Sequence, residues 1–166
     1  MTWRAPEVDR TGGSLVAGER EMLEGFLAWQ RSTLLRKCAG LTGEQLAERS
    51  VPPSRLSLLG LITHLANVER VWFRLRFAGM DVPGPQGEAD FADLRPELAE
   101  QEYARLLEEM RLADEIAGAA SLDDVIDVNG ETMSLRFLYF HVIHEYARHN
   151  GHADLIRERV DGVTGA

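Results

Sequence analysis

The stretch His141-Val-Ile-His-Glu-Tyr-Ala-Arg-His-Asn-Gly-His152 holds four of the chain's five histidines and a glutamate in a segment with a helical pattern. At about 100° per residue, His141, Glu145, His149 and His152 fall within a sector roughly 80° wide. Leu138 and Ile156, one turn to either side, project from the same sector. A stripe that is apolar, then polar, then apolar again places polar groups inside a core. Buried imidazole and carboxylate need partners, and a divalent cation satisfies several of them at once. The pattern therefore points to a metal site within a helical core.

Working outward, three further segments carry helical periodicity and little suggests strands. The first runs from about Ala17 to Cys38, with Leu23, Phe26, Leu27, Leu34 and Cys38 as its apolar stripe and Gly40 as its stop. Thr42-Gly-Glu-Gln45 has the form of a capping box for a short helix before Val51-Pro-Pro-Ser54. The second long helix covers about Arg55 to Ala78, with Leu61, Leu65, Val68, Trp72 and Leu75 facing inward. Gly79–Gly87 is a loop able to lie over one end of a bundle. The third begins near Pro96, a good first-turn residue, and runs to about Ala119. Its core side chains are Leu98, Leu106, Met110 and Ile116. Ser121–Thr132 reads as a linker with a turn at Asn129-Gly130. The fourth helix, about Ser134 to Val160, carries the histidine-rich stretch and ends at Asp161-Gly162. These segments predict an all-α fold without a sheet, a four-helix bundle with at least one crossover.

Composition sets the remaining bounds. With 166 residues the chain is expected to form one domain, residues 1–166, large enough for a substantial core. No apolar run approaches the ~18–20 residues of a membrane span. The N-terminus is polar and carries acids, unlike a signal or transit peptide, so a cytoplasmic location is expected. A net charge of −9 argues against nucleic acid as a partner. The single cysteine, Cys38, excludes an internal disulfide and a thiolate-rich metal site. It lacks a paired histidine in sequence and reads as a small hydrophobe. Trp72-Phe73, followed by Arg74 and Arg76, reads as core plus a solvated face.

The metal hypothesis needs a second helix. Glu145 and His149, four apart, are neighbours on one face, and His64 lies at the edge of the stripe formed by Leu61, Val68 and Leu75. Together they offer two imidazole nitrogens and a carboxylate oxygen. Such a set with an open position suits zinc, and also nickel or iron. The alternative is a surface pair at Glu145 and His149 and a hydrogen-bonded core histidine at position 64. His152 and His141 are candidates for a supporting or substrate contact, or else solvated histidines. His144 points elsewhere, and Arg148 reads as a surface ion pair, with pairing to Glu69 or to an anionic group as the alternatives.

Pro53-Ser54 with Leu58-Leu-Gly-Leu61, His64-Leu-Ala-Asn-Val-Glu-Arg70 with Trp72-Phe73, and Glu145-Tyr-Ala-Arg-His-Asn-Gly-His-Ala-Asp-Leu-Ile-Arg-Glu158 with Asp161-Gly162 resemble the DinB-like metalloprotein superfamily. The likeness is to its mini-circle-protein branch and covers nearly the whole chain. It implies a four-helix bundle with an up-down-down-up path, often a homodimer. The usual site there is three histidines, and Glu145 stands where one of them would be. In this respect the chain is similar to mycothiol-dependent maleylpyruvate isomerases, whose zinc ligands are two histidines and a glutamate. Carried over, the ligands are His64, Glu145 and His149, and His152 stands where many relatives have glutamine.

The resemblance implies a metal-dependent thiol S-transferase in which a low-molecular-weight thiol such as mycothiol attacks an electrophilic small molecule. Asn67, His141 and His152 are candidates for contacts to that cofactor. The isomerase subclass carries a further C-terminal domain, whereas this chain stops four residues after Gly162, so isomerisation itself is not expected. A metal hydrolase that activates water, with His152 or His141 as base, is the alternative enzyme. A non-catalytic metal-binding stress protein is the third reading.

Overall fold

The computed structural model describes residues 2–165. Its elements in chain order are α1 (Glu19–Cys38), α2 (Gly43–Ala47), α3 (Leu58–Glu69), α4 (Ala99–Gly118), β1 (Val125–Val128), β2 (Glu131–Ser134) and α5 (Leu135–Asp161). A π-helical stretch, Arg70–Phe77, prolongs α3, and two 3₁₀ turns, Gly87–Phe91 and Pro96–Leu98, precede α4. No helix among the described residues is long and apolar enough to cross a membrane.

Local chemistry explains the helix ends. Thr42 and Gln45 form the expected capping box of α2. The Ser57 hydroxyl accepts the Gly60 N–H at the start of α3, and Ser134 accepts the Phe137 N–H at the start of α5. Gly162, with φ 77°, closes α5 in the left-handed conformation that a residue without Cβ adopts readily.

The expectation of a sheet-free chain is corrected at residues 125–134. β1 and β2 form an antiparallel hairpin with Val125 opposite Ser134 and Val128 opposite Glu131. Its turn is Asn129-Gly130, at φ 55° and 85°, the positive pair that two-residue hairpin loops require. The segment read as a linker is thus a short ribbon feeding directly into α5.

α5 packs along α1 and against α3, and α3 packs on α4, enclosing one core cluster. Leu27, Leu34, Leu61, Leu65, Leu106, Leu138, Val142 and Ile156 are all 2% exposed or less. Phe26, assigned to the core stripe of the first helix, is instead 51% exposed beside Trp29. Cys38 is fully buried, and burial pushes its thiol up to about 12 against a partial offset from Arg157. It is an inert core group, as read from the sequence.

A charged network crosses this core. The Arg31 guanidinium donates from Nε and Nη2 to the two Glu69 carboxylate oxygens, at 2.7 and 2.8 Å. Its Nη1 donates to Asp114 at 2.6 Å, and the Tyr146 hydroxyl donates to Glu69 Oε1 at 2.9 Å. Glu69 and Tyr146 are completely buried and Arg31 nearly so. Burial, the largest single influence, would lower the Arg31 pKa, but Glu69 together with Tyr146 and Asp114 raises the net value. Burial, with Glu69 adding to it, raises that of Tyr146. Arg148 is not part of this network: it lies 3.9 Å from Glu145 on the surface side, in keeping with the surface ion pair read from the sequence.

Removing one member strands the others in low dielectric. Arg31→Ala is expected to destabilise the fold by about 3–5 kcal/mol in urea titration. Replacing all three buried members with apolar side chains (Arg31→Met, Glu69→Leu, Tyr146→Phe) should recover much of that loss. A small effect from Arg31→Ala alone would show that the network is not holding the helices together.

Candidate metal centre

His64 on α3 and Glu145 and His149 on α5 converge at the face where these helices meet. One donor atom from each lies within 4.8 Å of the other two. Glu145 Oε2 stands 3.6 Å from Nε2 of His64 and 3.6 Å from Nε2 of His149. Both distances are too long for good hydrogen bonds. They match a shared ion instead, because donors 2.0–2.2 Å from a tetrahedral cation stand roughly 3.3–3.6 Å apart. His149 is 3% exposed, and its Nε2 is buried without any hydrogen-bond partner. An orphaned imidazole nitrogen beside a carboxylate is the arrangement a cation would satisfy. Burial first, then neighbouring His64, pushes the His149 pKa down to about 4, so its ring is neutral near pH 7 as a ligand must be.

The rings are oriented from behind. Nδ1 of His64 lies 2.9 Å from Asp90 Oδ2. An ionised carboxylate only accepts, so His64 carries its proton on Nδ1 and presents the Nε2 lone pair to the cluster. Asp90 is 4% exposed and also accepts from Nδ2 of Asn67. Arg105 in turn donates to Asn67 Oδ1 at 2.9 Å. On the other helix, Nδ1 of His152 is 3.2 Å from Nδ1 of His149. The backing of metal-bound histidines by such groups fixes tautomer and ring angle.

Each residue singled out from the sequence now has a place. His64, Glu145 and His149 come together. His152 contacts His149 from behind. Asn67 lines the adjoining cleft, but both ends of its amide are engaged by Asp90 and Arg105. His141 lines the same cleft with its ring 4.3 Å from that of Trp72. Burial chiefly lowers its pKa, Glu145 opposes, and His144 and Arg76 add to the lowering. His144 is exposed.

Asp90 was not foreseen. It sits in the 3₁₀ turn 87–91, far in sequence from His64, and no spacing rule links the two. Gly60 is what allows that turn to lie on α3, since a Cβ there would come within 2.8 Å of the Phe91 ring.

The cleft beside the cluster has a volume of about 240 Å³. Val68, Val71 and Trp72 supply its apolar wall, Pro85–Gly87 a rim, and Arg76, His141 and Glu145 its polar groups. A larger cavity of about 460 Å³ lies between Arg36, Lys37, Arg157 and the residues near both ends of the described chain, remote from these histidines. The smaller cleft is the one that adjoins the donor atoms.

A helical core with a two-histidine, one-glutamate cluster at a helix junction defines a DinB-like protein. A family model described as mycothiol-S-transferase matches residues 22–162, and the chain belongs to that family, within the DinB-like superfamily. No curated protein and no solved structure matches the chain significantly.

On the reading of this cluster as a metal site, Asp90→Ala should weaken divalent-metal affinity by about 10–100-fold, measured by competition with a chelator on untagged protein. Unchanged affinity would mean that His64 is oriented without its carboxylate.

Proposed function

We propose that His64, Glu145 and His149 hold one divalent cation, zinc in the first instance, and that the protein joins a low-molecular-weight thiol, mycothiol, to an electrophilic carbon. The observation that carries this is the buried, unpartnered Nε2 of His149 facing Glu145 and His64 at the edge of an apolar-walled cleft. Membership of the mycothiol-S-transferase family supports the choice of thiol. The single core cluster from Ala5 to Ile156 supports one domain, and the packing of the long helices fits a bundle with an up-down-down-up path.

When bound, a divalent cation supplies Lewis acidity that holds a thiol as thiolate near neutral pH. The chain's own residues set the charge for this. Held by His64 and His149 as imidazole ligands and by Glu145 as a carboxylate, a dication would keep a net positive charge and would favour anionic sulfur over neutral thiol. The cleft beside them excludes water from one side through Val68, Val71 and Trp72. His141 lines the same cleft, burial chiefly lowers its pKa, and in this reading it accepts the thiol proton. Sulfur then forms a bond to the electrophilic carbon as the leaving group departs with its electron pair. No protein nucleophile is needed, in keeping with a Cys38 thiol that stays protonated in the core.

The test is conjugation of monochlorobimane with a panel of thiols by metal-loaded, untagged protein. Fluorescent product and chloride release are expected with mycothiol. Activity should fall by about a hundredfold or more on chelation or in His149→Ala, as removal of a key electrostatic group does. Metal analysis should show near-stoichiometric metal in the parent protein and little in that variant. Cys38→Ala should conjugate at close to the parent rate. Loss of activity in folded Cys38→Ala would indicate protein-thiol chemistry. Metal-dependent ester hydrolysis with every thiol inactive would replace the transferase reading with a hydrolase.

A further inference from the structure

The cleft has a second charged end that the metal reading does not use. Arg76 projects from the π-helical turn with its guanidinium carbon 4.1 Å from the centre of the Trp72 ring. The Trp72 ring also rests on His141, at 4.3 Å. All three residues line the cleft that contains His64 and Glu145. Arg74, two residues earlier, donates to Glu109 on α4 at 2.9 Å. Arg76 donates to no carboxylate or carbonyl among the described residues. The pair first read as a solvated face is therefore two different things: Arg74 is a tie to α4, and Arg76 is a preordered cation at the cleft.

We infer that Arg76 forms an anion subsite, and that the electrophile accepted by this cleft carries a carboxylate held by the Arg76 guanidinium while its reacting carbon lies toward the histidine cluster. Contact with the Trp72 ring restrains the Arg76 side chain, so less freedom is lost when a carboxylate docks on its guanidinium. The apolar wall of Val68, Val71 and Trp72 matches the carbon frame between the two polar ends. The protein's net charge of −9 repels anions in general, so a carboxylate preference calls for a local cation, and Arg76 is the one stacked at this end of the cleft. Asp90, the other acid in the cleft, is turned toward His64 and Asn67 and is engaged there. This assignment of substrate class rests on the transferase reading, but the binding of the anion does not.

Calorimetry on the metal-loaded protein with 4-methylbenzoate and the neutral 4-methylbenzamide, no thiol present, tests the subsite directly. The carboxylate should bind about tenfold or more tightly than the amide, as a charge-assisted pair allows. That preference should vanish in Arg76→Gln and be partly kept in Arg76→Lys, with circular dichroism confirming the fold of each. A matched pair of electrophiles, 4-(bromomethyl)benzoate and its methyl ester, should show the same ratio in kcat/KM and the same loss. A carboxylate preference that survives in Arg76→Gln would place the anion on the metal or elsewhere and overturn the subsite. So would no preference in the parent protein. Arg76-dependent benzoate binding without any conjugation would keep the subsite and remove the transferase reading. Conjugation with equal use of both electrophiles would do the reverse.

Discussion

The buried carboxylate of Glu69 is the constraint on which the arrangement depends. It is wholly removed from water on α3, accepts two bonds from Arg31 on α1 and one from Tyr146 on α5, and through Arg31 is linked to Asp114 on α4. A carboxylate in such a place must be paired, since an unpaired buried charge is far costlier than any single packing contact. Satisfying it fixes the spacing and rotation of α1, α3 and α5 together. Apolar packing alone would tolerate helices sliding or turning past one another. Three directed hydrogen bonds to one group tolerate much less.

That rotation places the site. Tyr146 is the residue after Glu145, so anchoring its hydroxyl on Glu69 turns the adjacent position of α5 toward the His64 side of α3. The donor cluster is thereby assembled by a network that touches none of its atoms. A second network, Arg105 to Asn67 to Asp90 to His64, runs from the α4 side and ends on the cluster itself. One sets where the helices lie, and the other sets which nitrogen of His64 faces inward.

Much of this was legible in the sequence, and the exceptions have physical causes. The α5 stripe was readable because Leu138 and Ile156 bracket the polar residues His141, Glu145, His149 and His152 at an undisturbed helical period. The His64–Glu145–His149 convergence followed from two stripes meeting. Asp90 was hidden because a 3₁₀ turn has no periodicity to place its side chains. The hairpin was hidden because strands of four residues, partly exposed, carry too short an alternation to stand against the surrounding helices. In the second helix, Leu75 was expected in the core, whereas Phe73 and Val71 are buried and Leu75 only partly so. The π stretch explains this, since its hydrogen bonds span five residues and shift the apolar face out of phase.

The same π stretch divides one continuous helix into two registers. His64 belongs to the α-helical part, while Trp72 and Arg76 belong to the wider turn. Side chains in the wider turn are therefore free of the angular spacing that ties His64 to the core leucines. Variation at positions 72–77 can remodel the mouth of the cleft without rotating the donor histidine. The helix thereby separates the residue that faces Glu145 and His149 from the residues that shape the mouth of the cleft. Substitutions in the wider turn can thus change what the cleft accepts while leaving His64 where it is.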